Sequence, residues 1–356
     1  MRTPWRRREP EAPGAPPAAA ASDAMPAPPV AGAGSPASPS DDTGARAQRD
    51  AGPGAASDAG RGVPPIAPGL PRVAFIGAGR VGTALGAALR ASGWPVTATA
   101  SRDRSRRDRF LALVPGSRAH AEAHDVLDEA DLLFLTVPDD VVPAIAASLH
   151  LYSGQAIVHT SGVLPAAVLS PALAAGTEAG SFHPLVAFTD VAAGRAALAG
   201  CVVAIEGDEP LLPLLEDVAA AIGARPVRVT AEGKPAHHAA ATLAAGGLVA
   251  LLDVVDRLAG AAGIEAGERL GTYQGLARQA LENAVRQGPE AALTGPIVRG
   301  DLGTVRLHLD SLRRADPDAI PIYVALARRS VSLATARGEL SPERAAELVA
   351  LLASGG

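Results

Sequence analysis

The sequence has very little cysteine, no lysine-rich segment and no long uncharged apolar run. Its one cysteine, Cys201, cannot form an internal disulfide, which is the usage of a protein from a reducing cytoplasm. The net charge of -5 argues against nucleic acid as the main partner. The longest uncharged apolar run, residues 239–252, is shorter than the roughly 20 residues that a membrane span needs. Composition therefore predicts a soluble, cytoplasmic protein that binds neither nucleic acid nor a membrane.

The first seventy residues differ in composition from the rest of the chain. Residues 1–70 hold nearly half of the 31 prolines, together with many alanines, glycines and serines. Such a segment cannot bury enough apolar surface to offset the entropy lost on ordering it. We therefore predict a disordered arm over residues 1–70, and a wrongly assigned start codon would explain the arm equally well. The remaining length favours two domains.

A strand, a glycine turn and a helix follow the arm. The run "RVAFIG" has the composition of a buried strand, "GAGRVG" follows at once, and "TALGAALRAS" has helical character. The glycines fit the dinucleotide fingerprint: the first permits a tight turn, the second lets backbone amides approach a pyrophosphate, and the third lets helix and strand pack closely. The motif predicts a cofactor-binding turn made of Gly77, Ala78, Gly79, Arg80, Val81 and Gly82.

The end of the next strand bears on which nicotinamide cofactor is used. NAD-selective proteins usually carry an acidic residue there to hold the ribose 2′-hydroxyl. Here "PVTATA" is followed by Ser101 and Arg102, and a hydroxyl beside a guanidinium suits a 2′-phosphate. The position favours NADP, although Asp103 leaves NAD open. The alternative is that these arginines only begin a solvated helix.

Strands and helices continue to alternate up to about residue 230. The segments "RAH", "DLLFLTVP", "QAIVHT", "AGSFHP", "CVVAIEG" and "ARPVRVT" read as further strands, which predicts an α/β fold with a mainly parallel, Rossmann-like sheet. Ligands of such sheets bind beyond the carboxyl ends of the strands. A dinucleotide-binding domain is therefore predicted over residues 71–230.

Polar residues at three of these strand ends are candidates for the ligand site. "TVPDD" places Val137 and Pro138 next to the nicotinamide, and "HTSG" and "SFHPL" place Ser161 and His183 at the substrate. Two duller interpretations stay open here. Asp139 or its neighbour could simply cap the next helix, and His159 could be a core histidine with satisfied hydrogen bonds.

After residue 230 the pattern becomes helical, and it opens on "GKPAHHAAA". Pro235 is tolerated only in the first turn of a helix, so Lys234 stands at the helix start and His238 one turn later on the same face. The positive end of the helix dipole should ease a proton from the lysine. Lys234 could then donate a proton to a carbonyl oxygen while a hydride reaches the carbon, with His238 orienting it. The alternative is a surface lysine at a domain boundary.

A second polar cluster lies in "LTGPIVRGDLGTVRLHLDSL". Arg299 could clasp a substrate carboxylate by two hydrogen bonds, and Thr294, Asp301 and His308 lie nearby. Asp301 could equally cap the helix that follows, and the whole segment could be an ordinary exposed loop. An all-helical domain for substrate binding and dimerisation is predicted over residues 231–356, with the substrate between the two domains.

Six ordered motifs carry a resemblance to a known family: "GAGRVGTAL", "TVPDD", "HTSG", "SFHPL", "KPAHHAAA" and "LTGPIVRGD". Together they resemble bacterial proteins with a Rossmann-like domain and the C-terminal domain of unknown function 2520. That family is similar to the ketopantoate reductase, prephenate dehydrogenase and 6-phosphogluconate dehydrogenase group. The resemblance implies NAD(P) use, a catalytic lysine at Lys234, substrate contact by His183 and a homodimer.

The chain also departs from that family's pattern. The residue before His238 is often tyrosine in the family and is His237 here, and an asparagine is usual where this chain has Gly246. We predict an NADP-dependent reductase of a small 2-oxo acid or related carbonyl compound, with ketopantoate as the leading specific substrate. The alternatives are a prephenate-like dehydrogenase and an NADP(H)-binding sensor without turnover. A metal enzyme is a more remote alternative, because no close ligand spacing is present, and no metal site is predicted.

Overall fold

The computed structural model describes residues 66–354, so the predicted disordered arm lies almost wholly outside the described residues. The chain divides into two compact units, of which the first ends at Lys234 and the second begins at Pro235. The division falls four residues after the predicted boundary.

The first unit is built on one eight-stranded sheet with the strand order β3-β2-β1-β4-β5-β6-β7-β8. All neighbouring strands are parallel except β6 and β7, which are antiparallel. Each strand predicted from the sequence is present, so the α/β, mainly parallel fold is confirmed. The strands are β1 Val73–Ile76, β2 Val96–Ala100, β3 Arg118–His120, β4 Leu132–Leu135, β5 Ala156–His159, β6 Glu178–Pro184, β7 Val202–Gly207 and β8 Arg225–Arg228.

Two apolar layers cover the two faces of this sheet. On one face Phe75, Phe134 and Phe182 form a continuous row, with ring centroids 5.4 and 5.6 Å apart. Because side chains alternate along a strand, the neighbouring residues of the same strands point to the other face. That second face is covered partly by the short 3-10 helix Ala166–Ala172. The helices of the first unit are α1 Arg80–Ala91, α2 Arg104–Leu113, α3 Val142–Ser148, α4 Val191–Leu198 and α5 Leu212–Ala221.

The turn before α1 requires glycine for steric reasons. Gly77 has a φ of 110°, which an L side chain rarely adopts, and a Cβ there would lie 2.5 Å from the carbonyl oxygen of Thr136. At the other end of α1, Gly93 takes the left-handed conformation that ends many helices, as its position in the sequence predicted.

The second unit is helical within the described residues. Its core gathers Val305, Leu309, Ala334, Leu348 and Leu352, which are almost completely buried. A π-helical turn, Leu243–Gly247, joins the first two helices. The helices are α6 Lys234–Thr242, α7 Leu248–Ala261, α8 Arg269–Gln287, α9 Pro289–Ala292, α10 Leu302–Ala315, α11 Ile320–Ala336 and α12 Pro342–Ser354.

The segment from α6 to α7 forms one continuous helix, Lys234–Ala261, of 28 residues. By length and composition alone it could cross a membrane, and none of its most apolar window is buried. The uncharged run at residues 239–252 is only the middle of this helix. Core helices of soluble proteins pass the same test when they are buried, so the exposure of this helix calls for a partner of some kind. The absence of a membrane partner stays a prediction.

Candidate functional site

The glycine turn at the carboxyl end of β1 has the shape of a phosphate cradle. A Cβ on Gly82 would lie 2.3 Å from both the carbonyl oxygen of Gly77 and the hydroxyl of Thr136, so this glycine lets α1 pack against the turn. A Cβ on Gly79 would meet only one atom, at 4.0 Å. No side chain caps the N-terminus of α1. The turn therefore presents backbone amides to an open space, which fits a pyrophosphate.

A cavity of about 560 Å³ opens beside this turn, in the size range of ligand pockets. Of the residues predicted to bind the cofactor, Gly79, Arg80, Val81, Val137 and Pro138 line it. Ala78 is buried beneath the turn, and the guanidinium of Arg80 donates to the carbonyl oxygen of Thr189 at 3.0 Å. The remaining lining residues are Asp103, Ser105, Arg106, Arg109, Thr136, Asp139, Thr160 and Phe188.

The arginines that line the cavity are not the one predicted from the sequence. Arg106 and Arg109, on the first turns of α2, replace Ser101 and Arg102, whose carbonyl oxygens accept hydrogen bonds from Arg107. The backbone amides of α2 explain the difference, because the helix begins only at Arg104 and turns later residues toward the glycine loop.

Asp103 is occupied by its role as a helix cap. Its carboxylate accepts hydrogen bonds from the backbone amide of Arg106 at 3.1 Å and the hydroxyl of Ser105 at 2.7 Å. The Ser105 hydroxyl and the Arg106 amide lower the pKa of this carboxyl. A carboxylate held in this way is a poor acceptor for a ribose 2′-hydroxyl, and the two neighbouring cations suit a phosphate better.

Lys234 lies at the carboxyl ends of the central strands of the same unit. Its side chain is fully buried, and its amine donates to the hydroxyl of Ser181 at 2.6 Å and to the carbonyl oxygen of Ser161 at 3.2 Å. The exposed surface lysine of the alternative interpretation is therefore excluded. Lys234 is also the only lysine in the chain, since 31 of the 32 lysine and arginine residues are arginine.

Burial, more than any other cause, lowers the pKa of Lys234 from 10.5 to about 8. The helix dipole had been expected to lower it, whereas the structure identifies removal from water as the larger effect. The nearby carboxylates of Glu206 and Asp139 oppose this shift by favouring the charged amine. An amine with such a pKa changes its charge close to neutral pH, which is what a general acid requires.

The loop after β5 holds the carbonyl oxygen that faces Lys234. The Nδ1 atom of His159 accepts from the backbone amide of Ser161, and its Nε2 atom lies 3.2 Å from the carbonyl oxygen of Pro165. Burial lowers the pKa of His159 to about 4, so the ring is neutral and carries its proton on Nε2. The hydroxyl of Ser161 accepts from the amides of Val163 and Leu164. His159 is the satisfied core histidine, and Ser161 shapes the loop.

A carboxylate that was not predicted completes this cluster. Glu206 lies opposite Ser181 in the antiparallel pairing of β6 and β7, and its Oε2 atom accepts from the backbone amide of Ala166 at 2.8 Å. His183, predicted to contact substrate, lies two residues beyond Ser181 on the same face of β6 and is half-buried. The antiparallel pairing could not be read from the sequence, and only the position of Glu206 at a strand end hinted at its role.

The other predicted site residues belong to the second unit. His238 is half-buried on α6, and Thr294 and Arg299 are exposed. Asp301 caps α10, accepting from the amide and the hydroxyl of Thr304 at 3.0 and 2.6 Å, which is the structural role left open above. His308 forms a 2.9 Å hydrogen bond with the hydroxyl of Tyr323.

Among residues 66–354, no group of three or more histidine, cysteine, aspartate or glutamate side chains is arranged to hold a metal ion. Both ring nitrogens of His159 are used within the protein, as described above. The metal-enzyme alternative gains no support from this part of the chain.

Solved structures share the architecture of the chain. Protein TM1727 from Thermotoga maritima is 25% identical with a TM-score of 0.58, covering 74% of this chain and 99% of its own. A pyrroline-5-carboxylate reductase from Streptococcus pyogenes is 15% identical with a TM-score of 0.54, covering 75% of this chain and 99% of its own. A reductive aminase from Aspergillus terreus, in complex with NADPH, is 16% identical with a TM-score of 0.51, covering 80% and 93%. The last two likenesses, at these identities, show the fold alone.

Family models assign both parts of the sequence, although no curated protein matches it. A Rossmann-like domain matches residues 60–184, and the domain of unknown function DUF2520 matches residues 201–330. The chain is therefore a Rossmann-like protein that carries a DUF2520 domain.

Proposed function

We propose that the protein is an NADP-dependent oxidoreductase that reduces a small 2-oxo acid or a related carbonyl compound, with ketopantoate as the first substrate to test. The observation that carries the proposal is the buried amine of Lys234, which lies at the carboxyl ends of the strands of a Rossmann-like sheet. In such sheets this edge is where ligands bind.

The residues present fit a nicotinamide dinucleotide. Gly79 leaves open space in front of the N-terminus of α1, where a pyrophosphate would be held by backbone amides. Arg106 and Arg109 would hold a 2′-phosphate at the far side of the same cavity, which favours NADP over NAD. A structural neighbour of the same fold is described in complex with NADPH.

Lys234 would supply the proton of the reduction. When bound, the reduced nicotinamide supplies a hydride to the carbonyl carbon. The ammonium group of Lys234 uses two of its three N–H bonds for Ser181 and Ser161, so the third can donate to the carbonyl oxygen of the substrate. As the C=O bond becomes a C–O single bond, the oxygen takes that proton and the amine becomes neutral. The amine then regains a proton from solvent before the next turnover.

An NADP(H)-binding sensor without turnover is the second candidate. It is favoured by the complete burial of Lys234, whose hydrogen bonds to Ser181 and Ser161 also suit a purely structural role. Both candidates require the cofactor, but only the reductase consumes it.

Fluorescence titration with NADPH, followed by a screen of 2-oxo acids for NADPH oxidation, tests the proposal. We expect NADPH to bind more tightly than NADH, and at least one 2-oxo acid to be reduced by the wild-type protein and not by Lys234→Met. Lack of NADPH binding would reject both candidates. Binding without turnover across the screen would reject the reductase in favour of the sensor.

We propose further that the protein is a homodimer, with the exposed apolar side chains of α8 facing a second copy. None of the 19 residues of α8 is buried, and Leu276 and Leu281 are 65% and 64% exposed. Lipid is a poor cover for this helix, because Arg278 and Glu282 lie among the leucines. Sedimentation analysis should give a dimer for the wild-type protein and a monomer for a Leu276→Glu, Leu281→Glu double variant. A monomeric wild-type protein would contradict this assignment.

A further inference from the structure

Glu206 is fixed next to the hydroxyl that receives the hydrogen bond of Lys234. Glu206 and Ser181 are directly opposite each other in the β6–β7 pairing. Side chains of directly opposed residues point to the same face of a sheet, with Cβ atoms about 4.5–5.5 Å apart. Since the Ser181 hydroxyl lies 2.6 Å from the amine of Lys234, the carboxylate of Glu206 is a close neighbour of that amine.

The carboxylate is also held in one place. Its Oε2 atom accepts from the backbone amide of Ala166, the first residue of the 3-10 helix Ala166–Ala172, at 2.8 Å. This bond ties β7 to the segment that follows the loop of Ser161, whose carbonyl oxygen is the second acceptor of the lysine. One glutamate therefore connects the two strand ends that hold the amine.

We propose that Glu206 is a positioning residue, whose carboxylate keeps the amine of Lys234 in its ammonium form and directed at the carboxyl ends of β5 and β6. The catalytic consequence rests on the proposed reductase function, because a reduction needs the protonated amine. The pairing of charge itself rests only on the geometry of the first unit.

Other ionisable groups face the lysine less effectively. Asp139 also attracts the ammonium, but it is exposed on the turn before α3, where solvent screens its charge. His159 is neutral, because both ring nitrogens are engaged and burial lowers its pKa to about 4. His183 shares the face of Ser181, and His238 follows Lys234 by one turn of α6. Neither imidazole can supply the negative charge that favours an ammonium group.

The single lysine makes the test direct. Labelling the full-length protein with ¹⁵N at lysine Nζ gives one side-chain amine to follow by NMR during a pH titration. Glu206→Gln keeps a carbonyl oxygen for the Ala166 amide but removes the charge, so the pKa of Lys234 should fall by about one unit below that of the wild-type protein. Glu209→Gln is the matched control. Glu209 is a mostly exposed carboxylate shortly after the same strand, and its removal should leave the lysine titration unchanged.

Glu206→Asp separates charge from loop contact. Aspartate keeps the charge one methylene farther away and loses reach to the Ala166 amide, so we expect a pKa between those of the wild-type protein and Glu206→Gln. An effect that came from the loop would place Glu206→Asp at or below Glu206→Gln. Should Glu206→Gln not fold, Glu206→Asp decides alone, because an unchanged lysine pKa in that variant would overturn the proposal.

Turnover, if it is found, provides an independent readout. In Glu206→Gln the alkaline limb of kcat/KM for the reduction should move to lower pH together with the lysine titration, while the Kd for NADPH stays the same. A lysine titration in Glu206→Gln identical to that of the wild-type protein would reject Glu206 as the positioning residue even if the reductase is active. A shifted titration in a protein that reduces nothing would uphold the pairing and reject the reductase.

Discussion

Replacing Lys234 by methionine should abolish turnover while leaving the protein folded. Methionine has a similar length and no charge, so it fills the buried space of the lysine without the amine. If the amine donates the proton of the reduction, its loss should lower kcat/KM by about 100- to 10,000-fold, the usual range for removal of a general acid. The Kd for NADPH should not change, because the glycine turn makes no use of this side chain.

The structure explains why the fold should tolerate this change. Burial lowers the pKa of Lys234 from 10.5 to about 8, which corresponds to a cost of about 3 kcal/mol for keeping the ammonium in the folded state at neutral pH. Methionine removes that cost but leaves the Ser181 hydroxyl and the Ser161 carbonyl without their donor, at about 1–3 kcal/mol each. The two changes offset each other, so the free energy of unfolding should change by no more than about 2 kcal/mol.

The pH dependence of stability gives a second signature of the same amine. Since the pKa of Lys234 is lower in the folded than in the unfolded state, the folded protein loses this proton first as the pH rises. The contribution of Lys234 to the free energy of unfolding should therefore increase between about pH 8 and pH 10.5. Lys234→Met should lack that increase, which chemical denaturation at a series of pH values can measure.

The assay compares NADPH oxidation and thermal melting for the wild-type protein, Lys234→Met and Lys234→Arg. Arginine keeps the positive charge but does not release a proton in proteins, so it should be as inactive as methionine if proton donation is the role. Activity of Lys234→Met within tenfold of the wild-type value would refute the reasoning. So would a methionine variant that loses its fold together with its activity, because Lys234 would then be a structural residue.

Three further substitutions test the cofactor site and the helical unit. Gly82→Ala should melt earlier and bind NADPH at least tenfold more weakly, because its Cβ would lie 2.3 Å from the carbonyl oxygen of Gly77; normal binding would contradict the close packing of the turn. Arg106→Glu combined with Arg109→Glu should raise the Kd for NADPH by tenfold or more and leave that for NADH nearly unchanged, so an equal loss for both cofactors would remove the 2′-phosphate assignment. Gly246→Asn should melt no earlier than the wild-type protein, because no atom lies within 4 Å of a Cβ at this position, and a lower melting temperature would show that the π-helical turn needs this glycine.

The sheet could be predicted from the sequence because its signals are local. The four residues Leu132–Leu135 form an uninterrupted apolar strand, and all four are buried, as expected for a parallel sheet with both faces covered. Even the three-residue strand Arg118–His120 was found, because the alternation of strands and helices required a strand between α2 and β4. The glycine turn was equally clear, since each glycine answers a steric need of the chain around it.

The parts of the site that could not be predicted depend on contacts between distant segments. The direction of β7 relative to β6 decides that Glu206 lies beside Ser181, and no local pattern reports the direction of a strand. The assignment of the phosphate-binding arginines failed for a similar reason. Arg102 was chosen for its nearness to the strand end, whereas the orientation of α2 brings Arg106 and Arg109 to the cavity.

The composition of the basic residues carries a signal that motifs alone do not. Arginine occupies 31 of the 32 lysine and arginine positions, and the one lysine is fully buried at the candidate site. An exposed position that needs only positive charge accepts arginine, and this chain uses arginine at each of them. A buried guanidinium would bring five N–H donors to a place where Ser181 and Ser161 provide two acceptors, and it would keep its charge at every pH of interest. Position 234 therefore calls for a small cation that can lose its proton, which is a property of a reacting group rather than of a surface charge.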